Sequence, residues 1–260
     1  MSTSETIFDI EGPVAFLTFN RPEARNAMTW GMYDALVAAC DRVDADSNLR
    51  VFVLRGAGPA FVAGTDISQF SRFTTREDAI QYERRLDGII DRVERVKIPT
   101  IAQVHGVAAG GGCAIALACD LRVCTPDARF GVPVARTLGN CLSAANYARV
   151  IDLIGPAKTK EMMFTGRLID AVEAARLGLV SKMAESTSIN RAVRELAAEL
   201  AANAPLTIRA TKEAVRRIQE QRRLDQPAID DLIAMCYLSE DFKEAVAAFL
   251  AKRKPVFNGR

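Results

Sequence analysis

The sequence predicts an α/β protein with a helical C-terminal part, and three features of its patterning carry that reading. Short apolar segments alternate with amphipathic helical ones through the first half of the chain. Two of the apolar segments run into glycine-centred turns, and from about residue 143 onward nearly every segment has a helical period. In order, residues 6–10 and 14–19 alternate apolar side chains around Glu11-Gly12-Pro13 and read as a hairpin. Thr29 is placed to cap a helix to about residue 45, with Met32, Leu36, Ala39, Cys40 and Val43 on one face. Residues 51–54 form a continuously apolar strand of the kind buried on both faces. Residues 76–96 read as a charged helix whose stripe is Ile80, Leu86, Ile89, Ile90 and Val93. A strand at 100–104, a glycine turn, a small-residue helix to 118 and a strand at 120–124 follow. Helices are then expected over 144–154, 157–165, 171–177, 189–202, 206–221, 227–238 and 240–252. No linker rich in Pro, Gly or Ser separates core from tail, so the tail is expected to pack on the core or on a neighbouring subunit.

Composition narrows the function classes. In 260 residues, 34 basic and 32 acidic side chains nearly cancel and 49% of residues are hydrophobic, which excludes a disordered chain or a polyanion-binding tail. The single histidine, His105, excludes a metal site built on several imidazoles. It is expected to be structural, and a Ser-His-Asp triad would have to use it. The six cysteines form no C-x-x-C pair and no zinc spacing, which suggests a reducing cytosol. The N-terminus has no basic region followed by an apolar stretch, so no secretory signal is expected. Residues 98–119 carry no formal charge and approach the length of a membrane span. Gly110-Gly111-Gly112 makes them a buried strand, a tight turn and a buried helix instead.

The informative segments are Phe61-Val62-Ala63-Gly64-Thr65-Asp66-Ile67 and His105-Gly106-Val107-Ala108-Ala109-Gly110-Gly111-Gly112-Cys113. Glycine lets a ligand approach main-chain N–H groups closely. If both turns open on one cleft, their N–H groups can converge on one oxygen, aided by the dipole of the helix near Gly112. Such an oxyanion hole serves any reaction in which a carbonyl oxygen gains charge. A plain packing role fits the same spacing. The cluster lacks the spacing of a dinucleotide fold and the Lys-Ser/Thr of a P-loop.

Together these segments resemble the signature of the crotonase, or enoyl-CoA hydratase/isomerase, superfamily. Asn20-Arg21-Pro22-Glu23-Ala24-Arg25-Asn26-Ala27 is similar to the family's first acyl-CoA loop, and the two glycine turns to its oxyanion turns. Gly155-Pro156 through Thr165-Gly166-Arg167 to Val180, and the end from Ala248 to Phe257, match the later segments. The resemblance implies a crotonase-like ββα spiral core (residues 1–195) with the acyl-CoA site. It also implies a helical C-terminal trimerisation region (196–260) that covers CoA and builds a homotrimer or homohexamer. Matched by position, the oxyanion donors would be the N–H groups of Thr65 and Gly111. Ala24, Arg25, Ala63, Asp66 and Ile67 would line the CoA groove, and Phe249 and Lys252 would reach the CoA nucleotide of a neighbouring subunit. Coenzyme A would enter as part of an acyl-CoA substrate. No permanently bound cofactor, metal, nucleic acid or membrane partner is expected, and the location expected is cytoplasmic.

The sequence departs from the family at two places. The hydratases carry one carboxylate two residues after the triple glycine and another three residues after the glycine of a Phe-Gly-x-Pro-type turn. Here those places are Ala114 and Val134, and neither side chain transfers a proton. A positioned acid or base contributes roughly a hundred- to ten-thousand-fold in rate, so two-glutamate hydration is not expected. Candidate substitutes are Asn140 and Cys141, which could orient water or a carbonyl, and Arg136, which could bind a substrate carboxylate. Their structural alternatives are a helix cap for Asn140 and an ion pair for Arg136. Asp66 is expected to accept backbone N–H bonds in its turn. Tyr82, Glu83 and Asp87 lie on the helix expected to cover the acyl pocket, where a solvated surface is expected of them, and Tyr237 could enter a neighbour's site, though core packing is expected. Three readings stay open: a hydratase/isomerase-like enzyme working through an enolate, a hydrolase or decarboxylase of the same fold, and a non-catalytic acyl-CoA-binding scaffold.

Overall fold

The structure, a computed structural model, describes residues 4–68, 75–224 and 226–260. The N-terminal reading at Met1–Thr3 lies partly outside them. Strands β1 (Thr6–Glu11) and β2 (Val14–Phe19) form the expected antiparallel hairpin. Helix α1 (Trp30–Ala45) begins where Thr29 accepts the Met32 N–H. Strand β3 (Val51–Gly56) follows, then α2 (Arg76–Glu94), whose Thr75 and Asp78 form a reciprocal capping box. The uncharged run becomes β4 (Thr100–Val104), β5 (Val107–Ala109) and α3 (Gly111–Ala118). Next come β6 (Leu121–Cys124), β7 (Arg129–Gly131), the short α4 (Val134–Thr137) and α5 (Ala144–Thr165). Gly155 (φ 73°, ψ 163°) breaks α5 just before Pro156, where the sequence suggests two helices. The remainder is β8 (Ile169–Asp170), α6 (Ala171–Arg176), β9 (Lys182–Met183), α7 (Ile189–Ala202), α8 (Pro205–Glu220), α9 (Asp230–Tyr237) and α10 (Glu240–Leu250).

The main sheet has the order β1-β2-β3-β4-β6-β9, parallel from β2 onward, and a smaller sheet runs β5-β7-β8. Parallel strands need long crossovers, which α1, α2 and α3 supply in turn. These helices pack on one face of the main sheet. On the other face, Ile189, Val193 and Ala197 of α7 cover Val14, Phe16, Val51, Val53, Ile101 and Val123. The boundary expected at 195/196 therefore falls inside a helix that belongs to the core. The short strands of the second sheet escape the sequence patterning because two or three residues show no period. Helices α9 and α10 fold back onto the core, with Tyr237 and Phe242 buried in the main cluster against α2 and α5 residues. Among the described residues no helix is long and apolar enough to cross a membrane.

Candidate active site

Both glycine turns hang from one local pairing. Phe61 N–H donates to the His105 carbonyl, Val62 N–H to Val107, and Ala109 N–H to Val62, so residues 61–62 run parallel to β5. Three residues beyond the Val62–Ala108 bridge, the two chains reach Thr65 and Gly111 together. The turns touch: a Cβ on Gly110 (φ 52°) would lie 3.7 Å from the Gly64 Cα, and one on Gly111 would meet the Tyr33 hydroxyl at 2.4 Å. Among the described residues neither the Thr65 nor the Gly111 N–H donates a hydrogen bond. Gly111 opens α3, so its N–H is one of the helix's unsatisfied terminal donors.

The first acyl-CoA loop is stitched to the Thr65 turn. Ala63 N–H donates to the Arg25 carbonyl, Met28 N–H to Gly64, and Asp66 N–H to Met28. Asn26 locks the other side of the loop: its amide donates to the Ala57, Ala60 and Phe61 carbonyls, and its Oδ1 accepts the Arg21 N–H. Arg21 in turn pairs with Asp66 at 3.0 Å.

A cavity of about 210 Å³ opens on these turns, lined by Thr65, Gly111, Ile67, Val132, Val134, Leu138 and Phe249 among others. Its roof is aromatic and phenolic. The Thr65 hydroxyl shares a hydrogen bond with Tyr33 (2.8 Å) and accepts one from Tyr82 (3.4 Å). Trp30 and Tyr237 pack against Tyr82 with ring centroids 5.7 and 6.1 Å away.

Among the described residues lining the cavity, Glu83 is the only carboxylate. It is 3% exposed, and its Oε1 accepts the Tyr237 hydroxyl, which accepts the Asn140 amide at 2.9 Å. Glu83 Oε2 and Asn140 Oδ1 are buried without a hydrogen-bond partner. Burial pushes the Glu83 carboxyl up to about 8, and the charge of Asp87 adds to this. The Tyr237 hydroxyl and the nearby Ser143 amide oppose it. Burial also raises the Tyr82 and Tyr237 hydroxyls well above the ordinary phenol range.

The expectation of a solvated surface for Tyr82, Glu83 and Asp87 is corrected: α9 packs on α2, and all three side chains are buried. Asp87 is satisfied there by the Ser143 hydroxyl and the Asn146 amide. Asn140 is not the cap of α5, because Ser143 performs that role, and Asn140 lines the cavity instead. Arg136 is exposed on α4 and is not among the cavity residues, so it is not placed to meet a substrate carboxylate there. Cys141 is buried beside Cys236, whose contact, together with burial, keeps the Cys141 thiol protonated. Val134 lines the cavity, whereas Ala114 is buried on the first turn of α3. Phe249 lines this chain's own cavity, from α10, which buries Phe242, Ala245 and Ala248 against the core. Lys252 and Arg25 are exposed in left-handed conformations, at φ 54° and 50°. Ala24 precedes Arg25 in the 3-10 turn Pro22–Ala24. Asp66 behaves as its turn predicts, with Oδ1 accepting the Ser68 N–H and hydroxyl. Partial burial would raise its carboxyl, but these bonds and Arg21 outweigh that and hold it below the ordinary range. His105 bonds the Gly58 carbonyl at 2.8 Å, a structural tie between loops. The structure joins Glu83, for which the sequence favours a solvated surface, to Tyr237, for which it favours core packing. A signal for Glu83 exists: Ile80, Glu83, Asp87, Ile90 and Glu94 follow helical three- and four-residue steps, so acidic residues sit on the apolar stripe.

The sequence profile of the enoyl-CoA hydratase/isomerase family matches residues 9–260, and the chain belongs to that family. It is 34% identical to a short-chain-enoyl-CoA hydratase of Clostridium acetobutylicum, covering 98% of this chain and 97% of that protein. Among solved structures, an enoyl-CoA hydratase/carnithine racemase from Magnetospirillum magneticum is 33% identical, with TM-score 0.80 over 100% of this chain and 97% of that one. A methylmalonyl-CoA decarboxylase in complex with 2-nitronate-propionyl-CoA is 25% identical, with TM-score 0.90 over 100% of both chains. The crotonase-like α/β fold is thereby shown.

Proposed function

We propose that this chain acts on a coenzyme A thioester by holding its carbonyl oxygen on the N–H groups of Thr65 and Gly111 while the α-carbon passes through an enolate. The observation that supports this best is the pair of undonated N–H groups on facing turns above one cavity. Donors fixed in advance stabilise developing negative charge without reorganising, and losing one typically costs about 2.7–4 kcal/mol of barrier lowering. Ala24, Arg25, Ala63, Asp66, Ile67 and Lys252 would form the CoA groove, with Arg25 and Lys252 supplying cations for its phosphates. Hydration by two glutamates is not part of the proposal, since Ala114 and Val134 carry no proton. The proposal includes a homotrimer or homohexamer built through residues 196–260. Leu206 and Met235, 76% and 65% exposed, leave apolar surface there for a neighbouring copy. A cytoplasmic location belongs to it too, in keeping with six unpaired cysteines.

A second reading, decarboxylation of a 2-carboxyacyl-CoA, has specific support. The backbone overlaps the methylmalonyl-CoA decarboxylase better (0.90) than the hydratase/racemase (0.80). Loss of CO2 generates an enolate without a base, which suits a cavity lacking both family carboxylates. Hydrolysis through Cys141 is not favoured, because its thiol is held protonated.

The test is a thermal shift with CoA and butyryl-CoA, alongside crotonyl-CoA hydration followed by loss of the conjugated thioester absorbance. The account expects stabilisation by the thioester and hydration at least a hundredfold below that of two-glutamate relatives. Hydration near their rate would show that Ala114 and Val134 are no handicap. Release of CO2 from methylmalonyl-CoA would establish the second reading. Binding without any turnover would leave the scaffold reading.

A further inference from the structure

We propose that Glu83 is the proton-transfer group of this site, moving a proton to and from the α-carbon of the thioester held at Thr65 and Gly111, with Tyr237 as its positioning residue. The inference deepens the enolate reading and rests on it.

Three observations on the geometry converge. Among the described residues Glu83 is the sole carboxylate of the cavity that both oxyanion turns line. One of its oxygens is fixed by Tyr237 and the other is buried with no partner. Among the described residues no Lys or Arg pairs with it, and the only charged side chain acting on it is Asp87. An unpartnered buried polar atom costs about 1–3 kcal/mol, which a purely structural carboxylate avoids. Asp87, one turn on, does avoid it by accepting from Ser143 and Asn146.

Burial brings the Glu83 carboxyl to about 8, close to where an acid–base catalyst is most effective near neutrality. In the forward step the Cα–H bond breaks, and its electron pair becomes the enolate double bond. The carbonyl oxygen takes the negative charge between the two N–H groups, and the proton forms an O–H bond on ionised Glu83. In the reverse step the enolate carbon takes that proton and Glu83 becomes a carboxylate again. One such group suffices for α-proton exchange, for moving a double bond, or for protonating an enolate left by decarboxylation. Adding water across a double bond needs a second group to activate the water, and the described residues of the cavity include no second carboxylate.

The probe is butyryl-CoA in D2O, with deuterium at the α-carbon read by mass spectrometry between pH 6 and 9. Wild type is expected to exchange at a rate that rises with pH through about 8. Glu83→Gln, isosteric and uncharged, is expected to lose at least a hundredfold while keeping its thermal stabilisation by butyryl-CoA. Glu83→Asp should retain part of the rate. Tyr237→Phe removes a hydrogen bond that favours the carboxylate, so it should exchange with its rising limb displaced to higher pH. The groups facing Glu83 are Tyr82 and Asp87 of α2, Tyr33 of α1, Cys141 before α5, Tyr147 of α5 and Tyr237 of α9. Burial raises all three of these other tyrosines, so none of them titrates near 8. Cys236, whose thiol the Cys141 contact lowers, is removed by Cys236→Ser, which should leave the limb in place. Wild-type exchange in Glu83→Gln overturns the proposal. So does a wild type that butyryl-CoA stabilises but that exchanges no α-proton. Absence of stabilisation by any thioester overturns the CoA reading beneath it.

Discussion

Besides the buried Asp87, helix α2 carries two carboxylates on one face, the buried Glu83 and the partly buried Glu94, eleven residues or roughly 16 Å apart. Glu94 lies between two guanidinium groups. It accepts from Arg149 at 2.9 Å and from Arg223 at 2.7 and 2.8 Å. Burial alone would raise its carboxyl, but Arg223 and Arg149 hold it down at about 2. Glu83, more deeply enclosed, has a phenol for a partner and, among the described residues, no cation, and stands near 8. The difference teaches that burial alone does not decide what an acidic side chain does. The charge of its neighbours does: Glu94 is a permanent anion that ties α2 to α5 and the C-terminal part, whereas Glu83 is able to hold and release a proton beside the oxyanion turns.

The sharpest way to break this contrast is to neutralise each residue and read both rate and stability. Glu83→Gln should lower α-proton exchange by at least roughly a hundredfold and leave the urea midpoint at neutral pH unchanged or higher. Glu94→Ala should leave the rate per folded molecule within a few-fold. It should cost about 3 kcal/mol of stability, because the buried Arg149 and the partly buried Arg223 lose the carboxylate they share. Equal effects on both readouts would erase the distinction.

The pH dependence of stability separates the pair next. The folded state holds the Glu83 proton up to about 8, whereas an unfolded glutamate releases it near 4.5. Folded protein therefore binds more protons in that window, and the contribution of Glu83, full below 4.5, is lost as pH rises through 8. Glu94 has the opposite sign, with its contribution present above 4.5 and lost as pH falls toward 2. Urea midpoints from pH 5 to 9 should fall for wild type relative to Glu83→Gln; parallel curves would contradict the assignment. The smallest effect is expected from Asp87→Asn, which removes the like charge that adds to Glu83's shift. Its exchange profile should move to lower pH, and no movement would exclude Asp87 from the tuning.

The sequence makes legible what depends on local chemistry. Thr29 caps α1, alternation marks the β1–β2 hairpin, and the glycine turns announce the donors at Thr65 and Gly111. Patterning also exposes the missing acids at Ala114 and Val134. Burial conferred by distant segments is not legible in the same way. Glu83 reads as solvent-facing until α9, about 150 positions later, is laid across α2 and delivers Tyr237 to it. Likewise Asn140 reads as a cap because Ser143, three residues on, offers the same chemistry, and only the fold shows which of them closes the helix. The place of Phe249 at this chain's own cavity likewise shows only once α10 is seen folding back. In each case the missing information is which element covers which, a property of tertiary packing that no local period encodes.

The most direct test of the account is a titration of the Glu83 carboxyl carbon by 13C NMR, with glutamate-labelled protein and the signal assigned by its absence from Glu83→Gln. The account predicts one carboxyl resonance that stays in the protonated position through neutrality and titrates near 8. A Glu83 signal that titrates in the ordinary carboxylate range near 4.5 would contradict it, because the site would then hold no proton to give.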